Sequence, residues 1–160
     1  MKSQEVVKEQ LLASLKGHQA HAEFDDVVKN LPVDLRNARV PNVPYTLWHL
    51  LEHIRLTQYD ILDFIRNPEY KEMEWPKAYW PDEDAEADEK AWKKTIADFR
   101  KDRKELAELV SDPKTDFYAK IPHGSGQHIL REILLVVDHT AYHLGEFLVM
   151  RRMLGAWPAK

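Results

Sequence analysis

Apolar residues recur at three- and four-residue steps in four segments of the chain, which is the spacing of one face of an α-helix. The first segment runs from Val6 through Leu11 and Leu15 to Leu31. It predicts a single amphipathic helix over residues 3–30, closed by Pro32 because proline cannot continue a helix.

The second segment follows a loop that contains three prolines. Thr46 is a suitable N-cap for this helix, although Pro44 or Tyr45 can also lie inside its first turn. The residue before a proline disfavours helical geometry, so the helix is expected to end at Asn67, before Pro68.

The third and fourth segments carry their own start and stop signals. The acidic run at residues 82–84 predicts the start of the third helix, and residues 111–113 (SDP) predict its end. Ser125 is the predicted N-cap of the fourth helix, and Gly155 is predicted at the C′ position beyond its last turn.

Period-two alternation, the pattern of a half-buried strand, is missing from the sequence, so no sheet is expected. Connections of about 12–15 residues between most of the long helices favour an antiparallel four-helix bundle. We found no internal repeat and no linker-like tract, and we therefore predict an all-α protein with one domain over residues 1–160.

The composition of the chain excludes several classes of function. The chain has 160 residues, a formal net charge of -4 and no Lys/Arg-rich run, so nucleic acid is not an expected partner. Without cysteine there is no disulfide, thiolate nucleophile or Cys-ligated metal. The polar amino terminus and the lack of an apolar run near the roughly 18 residues of a membrane span predict a cytoplasmic protein.

Residues 67–81, which connect the second and third helices, are unusually aromatic for a loop. This segment can pack over one end of the bundle, cover a pocket or form a subunit contact. Packing within the protein is the simplest explanation of the three.

His139 and His143 lie four residues apart, so on a helix both imidazoles can reach one divalent cation. Thr140 stands where the zinc-protease motif H-E-x-x-H has its glutamate, and the carboxylate base of that mechanism is therefore missing. Two histidines at this spacing can also be polar edge residues or hydrogen-bonded core residues.

A three-histidine site needs one more ligand from another helix, and the second helix offers His49 and His53. The position of His53 one turn deeper, between core residues, favours it over His49. His18 and His21 of the first helix can reach the same cavity, although each is more easily explained as a partly exposed histidine.

Two further polar residues share helix faces with these histidines. Glu146, three residues after His143, can orient a ligand histidine or act as an acid or base, but pairing with an arginine of the next turn is slightly favoured. Thr57, four residues after His53, can hydrogen-bond a water at the site. Glu146 and Thr57 are the candidate catalytic residues.

Two stretches carry a family resemblance. Residues 45–54 (YTLWHLLEHI) and residues 139–146 (HTAYHLGE) resemble the second-helix and fourth-helix signatures of the DinB/YfiT-like superfamily. The resemblance extends over nearly the whole chain, including the long connection between the second and third helices. It implies a four-helix bundle with a divalent metal held by three histidines, which by position are His53, His139 and His143.

The resemblance also implies a range of activities. Some members are metal-dependent transferases that use a low-molecular-weight thiol such as bacillithiol or mycothiol, and others resemble metal-dependent hydrolases. We therefore expect a thiol S-transferase first, with a hydrolase or a non-catalytic metal-binding stress-response protein as alternatives. A helical protein without a metal is the remaining alternative.

The expected cofactor is a divalent ion, with nickel or zinc favoured over manganese and iron, since imidazole suits several of these metals. The expected partner is a small-molecule substrate, including a small thiol. The aromatic connection and the family's habit of pairing together predict a homodimer.

Overall fold

The computed structural model describes residues 2–17 and 19–157, and within them the chain is all-helical. The α-helices are α1 (Lys2–Lys16), α2 (Phe24–Val28), α3 (Leu47–Arg66), α4 (Glu89–Ser111) and α5 (Ile129–Met153). Two short 3₁₀-helices occupy Val33–Leu35 and Lys77–Tyr79. Strand pairing in the described part is limited to isolated bridges from Arg39 to Thr46 and from Lys120 to His128.

The four long helices close into a ring. α3 packs against α4 and α5 on one side, and α1 packs against the same two helices on the other side. Each long helix buries one apolar stripe against two neighbours, as the 3.6-residue periodicity requires. The predicted four-helix bundle is thus confirmed, with the short helix α2 added against α5.

Contacts along the helices give their directions. Glu52 bonds Thr95 and Gln58 bonds the Phe99 carbonyl, so α3 and α4 run in the same direction. By contrast, the start of α3 shares a core cluster with the end of α5, and these two helices are antiparallel. The predicted antiparallel arrangement is therefore wrong for α3 and α4, because the long connection over residues 67–88 brings the chain back before α4 begins.

The first predicted helix is wrong in its extent. α1 ends at Lys16, because Gly17 takes a left-handed conformation (φ +85°) and its N–H bonds the Ala13 carbonyl. A left-handed glycine after the last turn ends a helix. The chain then bends, and the apolar residues near Val28 belong to the separate helix α2.

The predicted start of α4 at residues 82–84 is also wrong, since the helix begins at Glu89 behind an N-cap at Asp88. Distant side chains bind the backbone of the preceding segment. Arg39 donates to the Glu83 carbonyl, His49 bonds the Ala85 carbonyl, and the Asn37 amide makes two bonds to Ala87. These tertiary hydrogen bonds hold the segment in a non-helical conformation, which includes a turn from Asp82 to Ala85, and outweigh the helix-start preference of its acids.

Ser125 does not cap α5, which begins at Ile129 with His128 in the N-cap position. Gly126 has a φ of +126°, and the Gln127 carbonyl accepts from the Ile121 N–H, so residues 126–128 are not helical. At the other end, Gly155 (φ +68°) occupies C′ as predicted. Its N–H and that of Ala156 bond the carbonyls of Arg152 and Arg151, which is a Schellman motif.

By length and mean hydropathy alone, α5 would be long and apolar enough to cross a membrane. The core helix of a bundle passes the same test, and the inward face of α5, including Ile133 and Phe147, is fully buried against the rest of the protein. α5 is therefore a core helix of the bundle.

Candidate metal centre

Three histidines from two helices meet at one point in the bundle. His53 of α3 approaches both histidines of α5: its Nε2 lies 3.2 Å from Nε2 of His143 and 3.1 Å from Nε2 of His139. The ligand-capable nitrogens of all three lie within 4.8 Å of one another. His53 is buried, whereas His139 and His143 are partly exposed, so the group is reachable from one side.

The spacing of these nitrogens fits a shared cation. Nitrogen ligands lie about 2.0–2.1 Å from zinc, so two of them are about 2.8–3.0 Å apart at a right angle and about 3.3–3.4 Å apart at the tetrahedral angle. The two separations of His53 fall between these values. The cluster can therefore hold a divalent metal ion.

Hydrogen bonds on the far side of two rings fix which nitrogen faces the centre. Nδ1 of His53 is 2.8 Å from the Tyr79 carbonyl, and Nδ1 of His143 is 2.6 Å from the Glu146 carboxylate. Both partners are acceptors, so each Nδ1 carries the proton and each Nε2 keeps its lone pair. This is the arrangement that orients metal-ligating histidines in proteins.

Burial keeps two of the imidazoles neutral. It lowers the pKa of His53 to about 4, with the bond to the Tyr79 carbonyl opposing the shift and His143 adding to it. It lowers the pKa of His139 to about 3, with His143 and then His53 adding to the effect. Neutral imidazole is the form that binds a metal.

The aromatic connection between α3 and α4 forms one wall of the site. Trp80 stacks on the His53 ring, with centroids 3.8 Å apart and planes 4° apart, and Tyr45 stacks on Trp80 in turn. Tyr79 is buried, and its hydroxyl donates to Asp60 at 2.8 Å, which holds its carbonyl in place beneath His53. At Tyr79 and Trp80 the segment therefore covers a site inside the protein, which is the second of the three explanations.

Glu146 pairs with His143 rather than with an arginine of the next turn. The Tyr45 hydroxyl also lies near this carboxylate; burial and the charge of Glu146 raise the pKa of Tyr45 to about 12. Thr57 lies one turn after His53, and its Oγ1 is buried with no hydrogen-bond partner among the described residues. An unsatisfied hydroxyl on this face of α3 is consistent with a polar group held at the site.

His49 has a different task. Its Nδ1 accepts from the Thr46 N–H at 3.3 Å, completing a capping box, and its Nε2 is 2.8 Å from the Ala85 carbonyl. Both ring nitrogens are used, so His49 fixes the start of α3 and the segment before α4. His53 is the α3 histidine that joins the pair on α5.

The remaining histidine candidates lie elsewhere. His21 is exposed and bonds the Ala22 carbonyl through Nδ1, away from the three-histidine group. His18 lies outside the described residues. Sequence reasoning missed Tyr45, Tyr79 and Trp80 as neighbours of the site; the only signal for the last two was the concentration of aromatic residues in the connection.

The fold and the site define an all-helical bundle with a three-histidine cluster that can hold a divalent metal. A family model matches residues 17–147, which is most of the chain, and that model describes the DinB superfamily. The chain belongs to the DinB superfamily. Comparisons with curated proteins and with solved structures gave no significant match.

Proposed function

We propose that this protein is a metal-dependent enzyme whose divalent ion is held by His53, His139 and His143. The observation that carries the proposal is the convergence of three Nε2 atoms, two of them on rings whose Nδ1 atoms are already bonded to acceptors. Histidines that lie together by chance on a surface are not expected to turn their Nε2 atoms toward one another.

Three protein ligands and a partly open side favour a catalytic site over a structural one, because structural zinc sites normally have four protein ligands. Bound in such a site, a divalent ion supplies Lewis-acid chemistry that lowers the pKa of a small thiol or a water. All other groups around the metal site are supplied by the protein's own residues.

The protein's own residues orient the ligands and restrict water. Glu146 and the Tyr79 carbonyl keep His143 and His53 in the tautomers that face the centre. The Trp80 ring excludes solvent from one face of His53, which strengthens the electrostatic interactions there. The exposed edges of His139 and His143 leave polar contact for a substrate.

A thiol S-transferase is the activity that we favour within this class. Hydrolysis normally uses a carboxylate or histidine that takes a proton from water. Around the three histidines, the nearest carboxylate in the described residues is Glu146, and it is occupied by His143 Nδ1. A small thiol needs less help, because its pKa is already far below that of water. A metal-dependent hydrolase remains the second candidate.

The test is conjugation of an electrophile with bacillithiol or a thiol analogue, with and without added nickel or zinc. We expect metal-dependent conjugation that is lost in His139→Ala and His143→Ala. Ester and amide substrates are assayed in parallel, and metal-dependent hydrolysis alone would move the protein to the second candidate. If neither reaction depends on the two histidines, the protein is a non-catalytic metal-binding bundle instead.

A further inference from the structure

A second candidate site lies between α1, α4 and α5, and it contains none of the three clustered histidines. It is a cavity of about 170 Å³, walled largely by apolar side chains that include Leu15, Phe24, Phe99 and Leu144. An apolar cavity of about 150 Å³ is large enough to hold a benzene molecule. The space therefore suits a ligand with the bulk of one ring.

Arg103 brings a positive charge into this apolar wall. Its Nε donates to Gln58 Oε1 at 2.6 Å, one Nη donates to Thr140 Oγ1 at 2.9 Å, and the other is 3.4 Å from the Leu15 carbonyl. The guanidinium also lies over the Phe99 ring, 4.9 Å from its centroid. All of these partners are neutral.

The charge of Arg103 is not balanced by a carboxylate in the described part of the chain. Burial alone lowers its pKa to about 10, so the group is still cationic near neutral pH. A guanidinium has five N–H donors, and the contacts above engage three of them. By accessible surface Arg103 is partly buried, and an anionic partner stabilises a cation that is partly withdrawn from water.

The other charged groups that line the cavity do not serve as the anionic partner of Arg103. Asp25 is paired with Arg100 at 2.6 Å, and Glu23 takes part in the capping box of α2. Lys16 adds a second positive charge at the exposed rim. Lys16, Arg100 and Arg103 stand against Asp25 and Glu23 in the lining, which leaves an excess of one positive charge and favours an incoming anion.

We propose that this cavity binds a small carboxylic acid with an apolar body of about one ring, whose carboxylate pairs with Arg103. A planar guanidinium matches the two oxygens of a carboxylate, and the apolar walls match the rest of the molecule. The proposal is independent of the metal centre and of the reaction proposed for it.

The first test uses the unaltered protein and three ligands of similar shape: benzoate, benzamide and benzyl alcohol. Calorimetric titration should give benzoate a dissociation constant at least about tenfold lower than either neutral analogue, as a charge-assisted bond predicts. The titration is made before and after chelator treatment, so that binding to a metal is separated from binding to this cavity. Equal affinity for the three ligands, or loss of benzoate binding with the metal, would overturn the proposal.

The second test locates the ligand. Ala141→Leu places extra carbon atoms at the cavity wall while Arg103 is kept, and Ala97→Leu makes the same change on the exposed face of α4. Benzoate affinity should fall by at least about tenfold in the first variant and stay unchanged in the second. Unchanged affinity in a folded Ala141→Leu protein would place benzoate elsewhere and reject the site.

Discussion

At the scale of single residues, hydrogen-bond partners separate two histidines that lie one turn apart on α3. Both are buried, but His49 is bonded through both ring nitrogens to backbone groups, whereas His53 turns Nε2 toward α5. From the sequence alone, the choice between His49 and His53 as the metal ligand rested on the deeper position of His53 in its helix.

Alanine variants of these two histidines should therefore fail in different ways. His53→Ala should lose metal, because its Nε2 is a proposed ligand, and should also lose some stability, because the Tyr79 carbonyl and the Trp80 ring lose their partner. His49→Ala should keep metal but lose about 1–3 kcal/mol of unfolding free energy, since the Thr46 N–H and the Ala85 carbonyl lose their partner. Metal stoichiometry and urea denaturation measure the two effects, and the reverse pattern of metal loss would assign the ligand to His49.

Glu146 offers a second prediction at this scale. Glu146→Gln removes the charge that holds His143 Nδ1–H, and we expect metal affinity to fall by about 10–100-fold without loss of fold. Glu86→Gln, on the exposed surface, is the matched control. Competition with a chromophoric chelator gives both affinities. Equal values in the two variants would show that Glu146 does not support the metal ligand.

At the scale of elements, helix ends were predictable where the signal was local. Thr46 caps α3, and Gly155 occupies C′ of α5, because each acts through the backbone of its own turn. Gly17 is also a local stop signal. Apolar residues continue at helical spacing on both sides of it, however, so the sequence pattern did not show that the helix ends there. The starts of α4 and α5 depend on hydrogen bonds from residues far along the chain, which no local pattern contains.

Substitution by alanine should have opposite effects on stability at Gly145, which lies inside α5, and at Gly155, which lies in the C-terminal cap of α5. Gly145 lies inside the helix, and an added Cβ would meet nothing within 4 Å, so Gly145→Ala should stabilise the protein by about 0.5–1 kcal/mol. Gly155 needs its positive φ, so Gly155→Ala should destabilise it by about 1 kcal/mol. Thermal and urea unfolding of the two variants test the pair; stabilisation by both would argue against the Schellman cap.

At the scale of the whole molecule, the bundle and part of its centre followed from the sequence. The spacing of His139 and His143 placed two donors on one helix face, and the deeper position of His53 together with the family resemblance favoured it as the third. The carbonyl of Tyr79 and the ring of Trp80 could not be assigned in advance, because their places depend on how residues 67–88 fold back over α3. The parallel course of α3 and α4 has the same origin.

The predicted homodimer also belongs to this scale. Exposed apolar side chains lie along the outer face of α5, including Leu134, Tyr142 and Val149, and Trp75 is exposed on the aromatic connection. Burying such a surface would favour association. Light scattering at tens of micromolar, a range that captures a micromolar dissociation constant, should give the mass of two chains. A single-chain mass would refute the prediction.

The central claim is that one divalent ion lies among His53, His139 and His143. The most direct measurement is anomalous diffraction from crystals grown with nickel or zinc, collected at the absorption edge of that metal. We expect a peak about 2.0–2.1 Å from the Nε2 atoms of all three histidines. A fully occupied peak at another position, or none among the three rings at saturating metal, would contradict it.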